Sequence, residues 1–321
     1  MRITLRPPAH GDVDAIWRNL QDAETVQWLT TLPFPYQRSD AVAFVDQIAT
    51  PDDMAIIADG EFAGVIRVRG EIGYWIAPPL RRRGIARRAL QIALFRHFAA
   101  SDDPVRANHL DGNIASRALL EGVGFRETGA GQVTRRFDGR SVPQRHMELT
   151  RSAFVAALSI RTPRGLLTPM TEADFPALHR IATEPATARM LMRFFPGQTG
   201  AEFARIMRPA MDPVTRPVRL AIRRDGRCIG SIGVDAGADP AVFYFLAPEA
   251  AGQGIASEVL PVFCDAVQDW FDLDTLTAQV FADNAASRRV LEKAGFAAGE
   301  TRLLVSAGRA RPETGLVMRR G

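Results

Sequence analysis

Asn113-Ile114-Ala115-Ser116-Arg117-Ala118-Leu119-Leu120-Glu121-Gly122-Val123-Gly124-Phe125 returns 171 residues later as Asn284-Ala285-Ala286-Ser287-Arg288-Arg289-Val290-Leu291-Glu292-Lys293-Ala294-Gly295-Phe296, identical at eight of 13 positions. Composition alone would give about one match. Upstream, residues 78–90 align with residues 248–260, sharing the first proline, Gly-Ile-Ala and the last leucine. The starts agree too, Leu5-Arg6-Pro7 through Asp12 against Leu167-Thr168-Pro169 through Asp174. The chain is therefore a duplication of one fold. Its 321 residues suffice for two domains of about 150 residues, each able to bury a core. Pro163 and Gly165 interrupt the periodic patterns between the copies. The domains are expected at 1–158 and 159–321.

Composition narrows the class. With 46% apolar and 24% charged residues the chain is an ordinary globular one. No stretch reaches the roughly 18 uninterrupted apolar residues of a membrane span, and Met1-Arg2-Ile3-Thr4-Leu5-Arg6-Pro7 lacks the apolar core of a signal peptide. A cytoplasmic protein with no membrane partner is expected. Cys228 and Cys264 are too few for a disulfide scaffold or a thiolate zinc site, and no metal is expected. The net charge of +4 divides as +1 over residues 1–150 and +3 over the rest, so neither half is a basic arm that points to nucleic acid. Lys293 is the single lysine and Ala294 follows it, which excludes a P-loop. The zinc-protease His-Glu-x-x-His and the hydrolase Gly-x-Ser-x-Gly are absent as well.

Each copy reads as strands first, then alternating strand and helix. The spacing predicts strands at 3–6, 55–58, 62–68 and 72–76, and again at 166–168, 218–222, 228–234 and 242–246. Each fourth strand stops at Ala-Pro, Ala77-Pro78 or Ala247-Pro248, because proline removes a ladder donor. Helices follow at 84–98 and 254–270, then strands at 105–110 and 276–281, then the helix that opens at Asn113 or Asn284. This order describes an α/β fold with a mixed sheet in each of two tandem domains.

The chemistry lies where the fourth strand turns into a helix. In Pro78-Pro79-Leu80-Arg81-Arg82-Arg83-Gly84-Ile85-Ala86, the bare Gly84 and small Ala86 let a phosphate approach the backbone. The first N–H groups of the helix have no internal partner, and the positive end of its dipole stands behind them. Arginines on the loop add charge. A Gly-x-Ala at a helix start also serves plain helix–sheet packing. Its recurrence ahead of Asn-x-x-Ser and Gly-Phe, twice in one chain, points to a pyrophosphate cradle.

This ordered set resembles the GNAT superfamily of acetyl-CoA-dependent N-acetyltransferases: a strand ending in Pro, Arg/Gln-x-x-Gly-x-Gly/Ala, then Asn-x-x-Ala/Ser and Gly-Phe. The resemblance covers nearly the whole chain. It is closest to the ribosomal-protein-alanine branch in residues 162–167, in Ile72-Gly73-Tyr74-Trp75-Ile76 and in residues 288–296. It implies acetyl-CoA as cofactor, with its pantetheine arm between two splayed strands and bonded to the backbone of Trp75, Ile76 and Ala77, or of Phe245, Leu246 and Ala247. The pyrophosphate is expected on Arg81, Arg82, Arg83, Gly84, Ile85, Ala86 and Arg87 in the first copy. In the second it falls on Ala251, Gly252, Gln253, Gly254, Ile255, Ala256 and Ser257. Asn113 and Asn284 match the family's cofactor-contacting asparagine, and Ser116 and Ser287 stand where a hydroxyl nears the sulfur. The copies depart from the pattern at Arg87-Arg88, where the branch has Ser/Thr-Glu, and at Ala251, where it has Arg or Gln. Leu120 and Leu291 replace the tyrosine that many members use as an acid.

Acetyl transfer needs a base for the ammonium proton, donors for the oxyanion and an acid for the thiolate. Glu71 opens the central strand where the second copy has Ala241, and it is one candidate base. His109 is the other, since an imidazole titrates near neutrality. A strand-end Glu is also commonly just solvated, and a His beside a helix start is commonly structural. Ser116 is the candidate acid. Tyr74 and Tyr244 read as core packing, and Trp17, Trp28, Phe34 and Tyr36 as acceptor-pocket lining or ordinary core. The expected partner is an amine, a peptide N-terminus or a small molecule, and no nucleic acid, because Arg81-Arg82-Arg83 fills the cofactor loop. A second class stays open: an acyl-CoA-binding pseudo-enzyme, or one working domain beside a degenerate one. The titratable groups of the first copy place the working site there. Family members often pair, so a monomer with its two copies in pseudo-twofold relation is expected.

Overall fold

A computed structural model of the chain describes residues 1–68 and 71–321. The chain divides into two units, one of Met1–Ala157 with Asp269–Phe271 and one of Leu158–Gln268 with Asp272–Gly321. Among the described residues no helix is long and apolar enough to cross a membrane, and no group of His, Cys, Asp and Glu could hold a metal ion.

In the first unit β1 (Ile3–Arg6) leads through α1 (Val13–Asn19), α2 (Ala23–Val26) and α3 (Arg38–Ala43) into β2 (Asp53–Ala58), β3 (Glu61–Arg67) and β4 (Glu71–Ile76). Then come α4 (Ile85–Ala100), β5 (Val105–Leu110), α5 (Ile114–Gly122), β6 (Arg126–Thr134), β7 (Ser141–Leu149) and α6 (Arg151–Ala157). The seven strands form one sheet in the order β1-β2-β3-β4-β5-β7-β6. Ile56, Ile66, Ile85 and Leu90 are wholly buried between the sheet and α4, each contributing about 1.5–3 kcal/mol of hydrophobic stabilisation. A second apolar cluster joins Val13, Ile16, Leu20, Val26, Tyr36 and Ala41, with Trp17, Phe62 and Trp75 packed against it. Tyr36 and Trp17 therefore serve this core.

The second unit contains β8 (Ile160–Arg161), β9 (Leu166–Pro169), α7 (Phe175–Thr183), α8 (Pro185–Ala188), α9 (Gly200–Met207), β10 (Val218–Arg224), β11 (Arg227–Val234) and β12 (Val242–Leu246). It continues with α10 (Ile255–Phe271), β13 (Leu276–Phe281), α11 (Ala285–Lys293), β14 (Ala297–Leu304) and β15 (Glu313–Arg320). Its strands fall into two sheets, β12-β11-β10-β9-β8 and β13-β15-β14. The mixed α/β class and the duplicated element order hold. The hairpins β6–β7 and β14–β15, which flank β5 and β13, have no counterpart in the sequence reading.

The copies share one irregularity that shapes the site. Among the described residues, parallel β4 and β5 pair only at Glu71↔Arg106 and Ile72↔Ala107. In the second unit the equivalent strands are joined by a single bridge, Ala241↔Thr277, beside a Thr277 N–H to Pro240 carbonyl bond of 2.8 Å. Beyond these points the strands part.

Candidate active site

From Gly73 to Ile76, β4 is bonded along one side to β3, while its other side has no strand partner. Backbone N–H and C=O groups left without a ladder seek a partner, and an extended chain can take the place of the missing strand. Trp75 and Ile76 lie on this open stretch, with Ala77 just beyond it. Phe245 and Leu246 hold the same place on β12, which pairs only with β11 beyond the bridge, and Ala247 follows.

At the open end stands the start of α4. Arg82 and Gly84 both adopt left-handed backbone, with φ of +63° and +77°, and Gly252 and Gly254 repeat that loop with +74° and +79°. A Cβ on Gly84 would meet nothing within 4 Å, so the space before the helix N-terminus is clear for an anion. Arg82 and Arg83 are exposed beside it. Arg81 instead bonds Asp22 at 2.8 Å and also reaches Thr25, tying the loop to α2. Ile85 is buried beneath the loop and Ala86 half-buried in the first turn. Arg87 turns away, donating to the Gly122 carbonyl at 3.1 Å.

The second loop is dressed differently. Ala251, Gly252 and Gln253 are exposed, Ile255 is buried, and Ala256 and Ser257 are half-buried. Two arginines given no site role in the sequence reading converge there. Arg164 donates to the Gln253 carbonyl at 2.8 Å, pairs with Glu258 at 3.2 Å and lies against Gly254. Arg224 bonds the Gln253 side chain.

Asn113 caps α5, its Oδ1 accepting from the Ser116 N–H at 3.1 Å, and Asn284 does the same for Ser287 at 3.1 Å. The Ser116 hydroxyl lies 2.9 Å from the Tyr74 phenol, and Ser287 lies 2.9 Å from Tyr244. The two tyrosines thus do more than pack. Burial pushes both phenols up to about 12 against the opposing pull of the serine bond, so they stay protonated at neutral pH and can donate.

The two candidate bases stand on opposite faces of the sheet. Register puts Glu71 beside Arg106 and Ile72 beside Ala107, and side chains alternate along each strand. Ile72, Tyr74, Ala107 and His109 therefore share the α5 face, while Glu71, Gly73 and Trp75 share the face covered by α1 and its neighbours. His109 is 7% exposed. Its Nδ1–H donates to the Leu110 carbonyl at 3.1 Å, and Nε2 is buried without a partner among the described residues. Glu71 is exposed at the closed end of the cleft. On its face, and not foreseen, His146 donates from Nδ1 to Asn108 Oδ1 at 2.8 Å. The space for its ring is left by Gly131, where a Cβ would come within 2.8 Å of Nε2.

The residues fit a pantetheine phosphate carrier: an unpaired strand edge, an open helix N-terminus and exposed arginines beside it. Comparison with known proteins agrees. The family model of the acetyltransferase (GNAT) domain matches residues 2–126 and again residues 164–297. An acetyltransferase of Agrobacterium tumefaciens is 26% identical, covering 51% of this chain and 94% of that one at a TM-score of 0.41. RimJ of Mycobacterium smegmatis, solved with CoA-disulfide, is 22% identical and covers 50% of this chain and 85% of that one at 0.43. A GNAT-family acetyltransferase of Bacillus anthracis is 15% identical, with coverage of 50% and 97% at 0.43. No curated protein matches the chain. With the domain matched twice over more than half of its length, the chain belongs to the GNAT acetyltransferase family.

Proposed function

We propose that the chain is an acetyl-CoA-dependent N-acetyltransferase in which a primary amine attacks directly, both substrates being bound to the first unit. The open edge of β4 past the Ile72↔Ala107 pair carries this reading. Acetyl-CoA supplies the activated acetyl group. The β4 backbone from Gly73 to Ala77 orients its arm, and the loop of Arg82, Arg83 and Gly84 holds its phosphates. Glu71 takes a proton from the ammonium on the acceptor face. The amine nitrogen bonds the acetyl carbon and gives up its second proton to water as the carbon–sulfur bond breaks, while the Tyr74–Ser116 pair passes a proton to the departing sulfur and is reprotonated from solvent. Asn113 holds Ser116 in place for this.

The second unit is read as a CoA-competent or structural partner. No titratable group stands at Ala241, where the first unit has Glu71, and Phe243 fills the place of Gly73. The pair of copies replaces the two subunits of a dimer, so the chain works as a monomer, and light scattering at micromolar concentration should give one chain per particle.

The test uses the full chain. Calorimetry with CoA, and mass spectrometry of acetylated product from peptide N-termini, polyamines and aminoglycosides, read binding and transfer. Gly84→Trp should abolish transfer, and Gly254→Trp should leave it largely intact. Transfer lost only in Gly254→Trp, with both proteins folded, would place the reaction in the second unit. Absence of CoA binding in the wild type would sink the proposal.

A further inference from the structure

The two units differ in one row of residues running across the sheet. In the first, register sets Asp53, Arg67 and Gly73 side by side on β2, β3 and β4. Asp53, only 3% exposed, receives Nε and Nη2 of Arg67 at 2.8 Å each, so that charge is closed on itself. The same row in the second unit is Arg219, Gly233 and Phe243 on β10, β11 and β12. The acid has become a base, and its former partner position has no side chain. Across that gap the Arg219 guanidinium lies over the Phe243 ring, its Cζ 4.2 Å from the centroid. A Cβ on Gly233 would strike that ring, so the glycine is what permits the contact.

Arg219 is 7% exposed, yet no carboxylate among the described residues pairs with it. Among the described residues its one hydrogen bond, to the Ser231 hydroxyl, is a weak 3.5 Å, and Nε has no partner there. Burial, and after it the like charge of Arg193, pull its pKa below the usual guanidinium value. A stacked ring does not replace a counter-ion, and an unpaired buried charge is a standing cost to the fold. Such a cost is tolerated where function uses it. The location fits. Phe243 and Phe245 share one face of β12, where the Phe245 ring meets Phe194 at 5.9 Å. That is the face which in the first unit bears Glu71 and Trp75, opposite the Tyr244–Ser287 pair.

We propose that Arg219, with Arg193 and Ser231, binds an oxyanion, a carboxylate or phosphate group of the molecule that the second unit holds on its acceptor face. The identity of that face rests on the acetyltransferase reading; the anion site itself does not. A guanidinium fork matches either group, and the aromatic surroundings of Phe243 and Phe245 favour the flat, singly charged carboxylate. The copies would then divide their labour, with proton transfer in the first and anion recognition in the second.

The full chain is titrated calorimetrically with succinate, with inorganic phosphate and with neutral succinamide, and separately with CoA. Succinate should bind saturably and raise Tm, phosphate should bind more weakly, and succinamide should do neither. Arg219→Met, close in shape, should weaken succinate at least tenfold, keep CoA binding and melt no lower than the wild type. Arg193→Gln should weaken succinate about threefold or more, which provides a second variant if Arg219→Met does not fold. Tighter phosphate than succinate would keep the site and assign it to a phosphate. Equal responses to succinate and succinamide, or undiminished succinate binding in the variants, would overturn the proposal. Loss of CoA binding with succinate binding intact would overturn only the acetyltransferase reading.

Discussion

The Tyr74 phenol lies 2.9 Å from the Ser116 hydroxyl, and 42 residues of chain separate them. The same pair recurs as Tyr244 and Ser287, at the same distance. Each serine is fixed twice, through its N–H by an asparagine cap and through its hydroxyl by a buried phenol. Because burial keeps the phenol protonated, the pair can pass a proton outward. Tyr74→Phe should lower kcat about tenfold or more with little change in KM, and cost about 1 kcal/mol of stability for the lost bond. An unchanged kcat with a lowered Tm would reduce the pair to a brace.

Arg82 is a non-glycine residue in left-handed backbone at φ +63°, where the second copy has Gly252 at +74°. An L-residue there carries about 1–2 kcal/mol of strain. Arg82→Gly should relieve part of it and raise Tm by a few degrees, while removing a cation from the phosphate loop. CoA affinity should fall severalfold, and its dependence on salt should become shallower. Tighter CoA binding in the variant would mean that Arg82 faces away from the phosphates.

Much of this was legible in the sequence because helix caps, strand-ending prolines and loop glycines act locally. Asn113 at its cap and Gly84 at its turn need only their neighbours. The β6–β7 hairpin was missed because Arg126–Thr134 never presents an apolar face, its residues alternating between exposed and half-buried around Gly129 and Gly131. β14 is nearly all exposed and gives still less of a pattern. Relationships across strands were hidden for another reason. The solitude of Arg219 depends on what stands opposite at Gly233 and Phe243, and the turn of Arg81 toward Asp22 depends on α2. Neither follows from spacing along one segment.

The chain has three tyrosines, Tyr36, Tyr74 and Tyr244, and burial raises all three to about 12. A group whose pKa is raised on folding stabilises the fold fully below its unfolded value, near 10, and that stability is lost as pH rises through the folded value. Stability should therefore be flat with respect to these residues up to about pH 10 and fall between about 10 and 12. Absorbance at 295 nm should show tyrosinate appearing together with unfolding. Titration of two or three phenols near pH 10 in the folded protein would contradict their burial.

The last prediction concerns the base. Glu71 and His109 lie on adjoining strands but on opposite faces, so only one of them can meet an amine that arrives over α1. Glu71 has the acceptor face, at the point where β4 and β5 begin to part. His109 is enclosed on the other side, spending Nδ1–H on a carbonyl and leaving Nε2 buried. Glu71→Gln should lower kcat by about 10²–10⁴ with CoA affinity unchanged, and Glu71→Asp should restore part of the rate. His109→Leu, which replaces an unpartnered buried ring nitrogen with apolar volume, should keep kcat within about threefold. His146 shares the face of Glu71, and its bond to Asn108 leaves Nε2 free to accept. His146→Asn therefore separates two arrangements. If Glu71 acts alone, this variant changes mainly the KM for the amine. If the proton travels by way of His146, kcat falls as far as in Glu71→Gln, and combining the two substitutions costs no more than either alone. A full rate in Glu71→Gln together with a dead His109→Leu would transfer the chemistry to the α5 face and reverse the assignment.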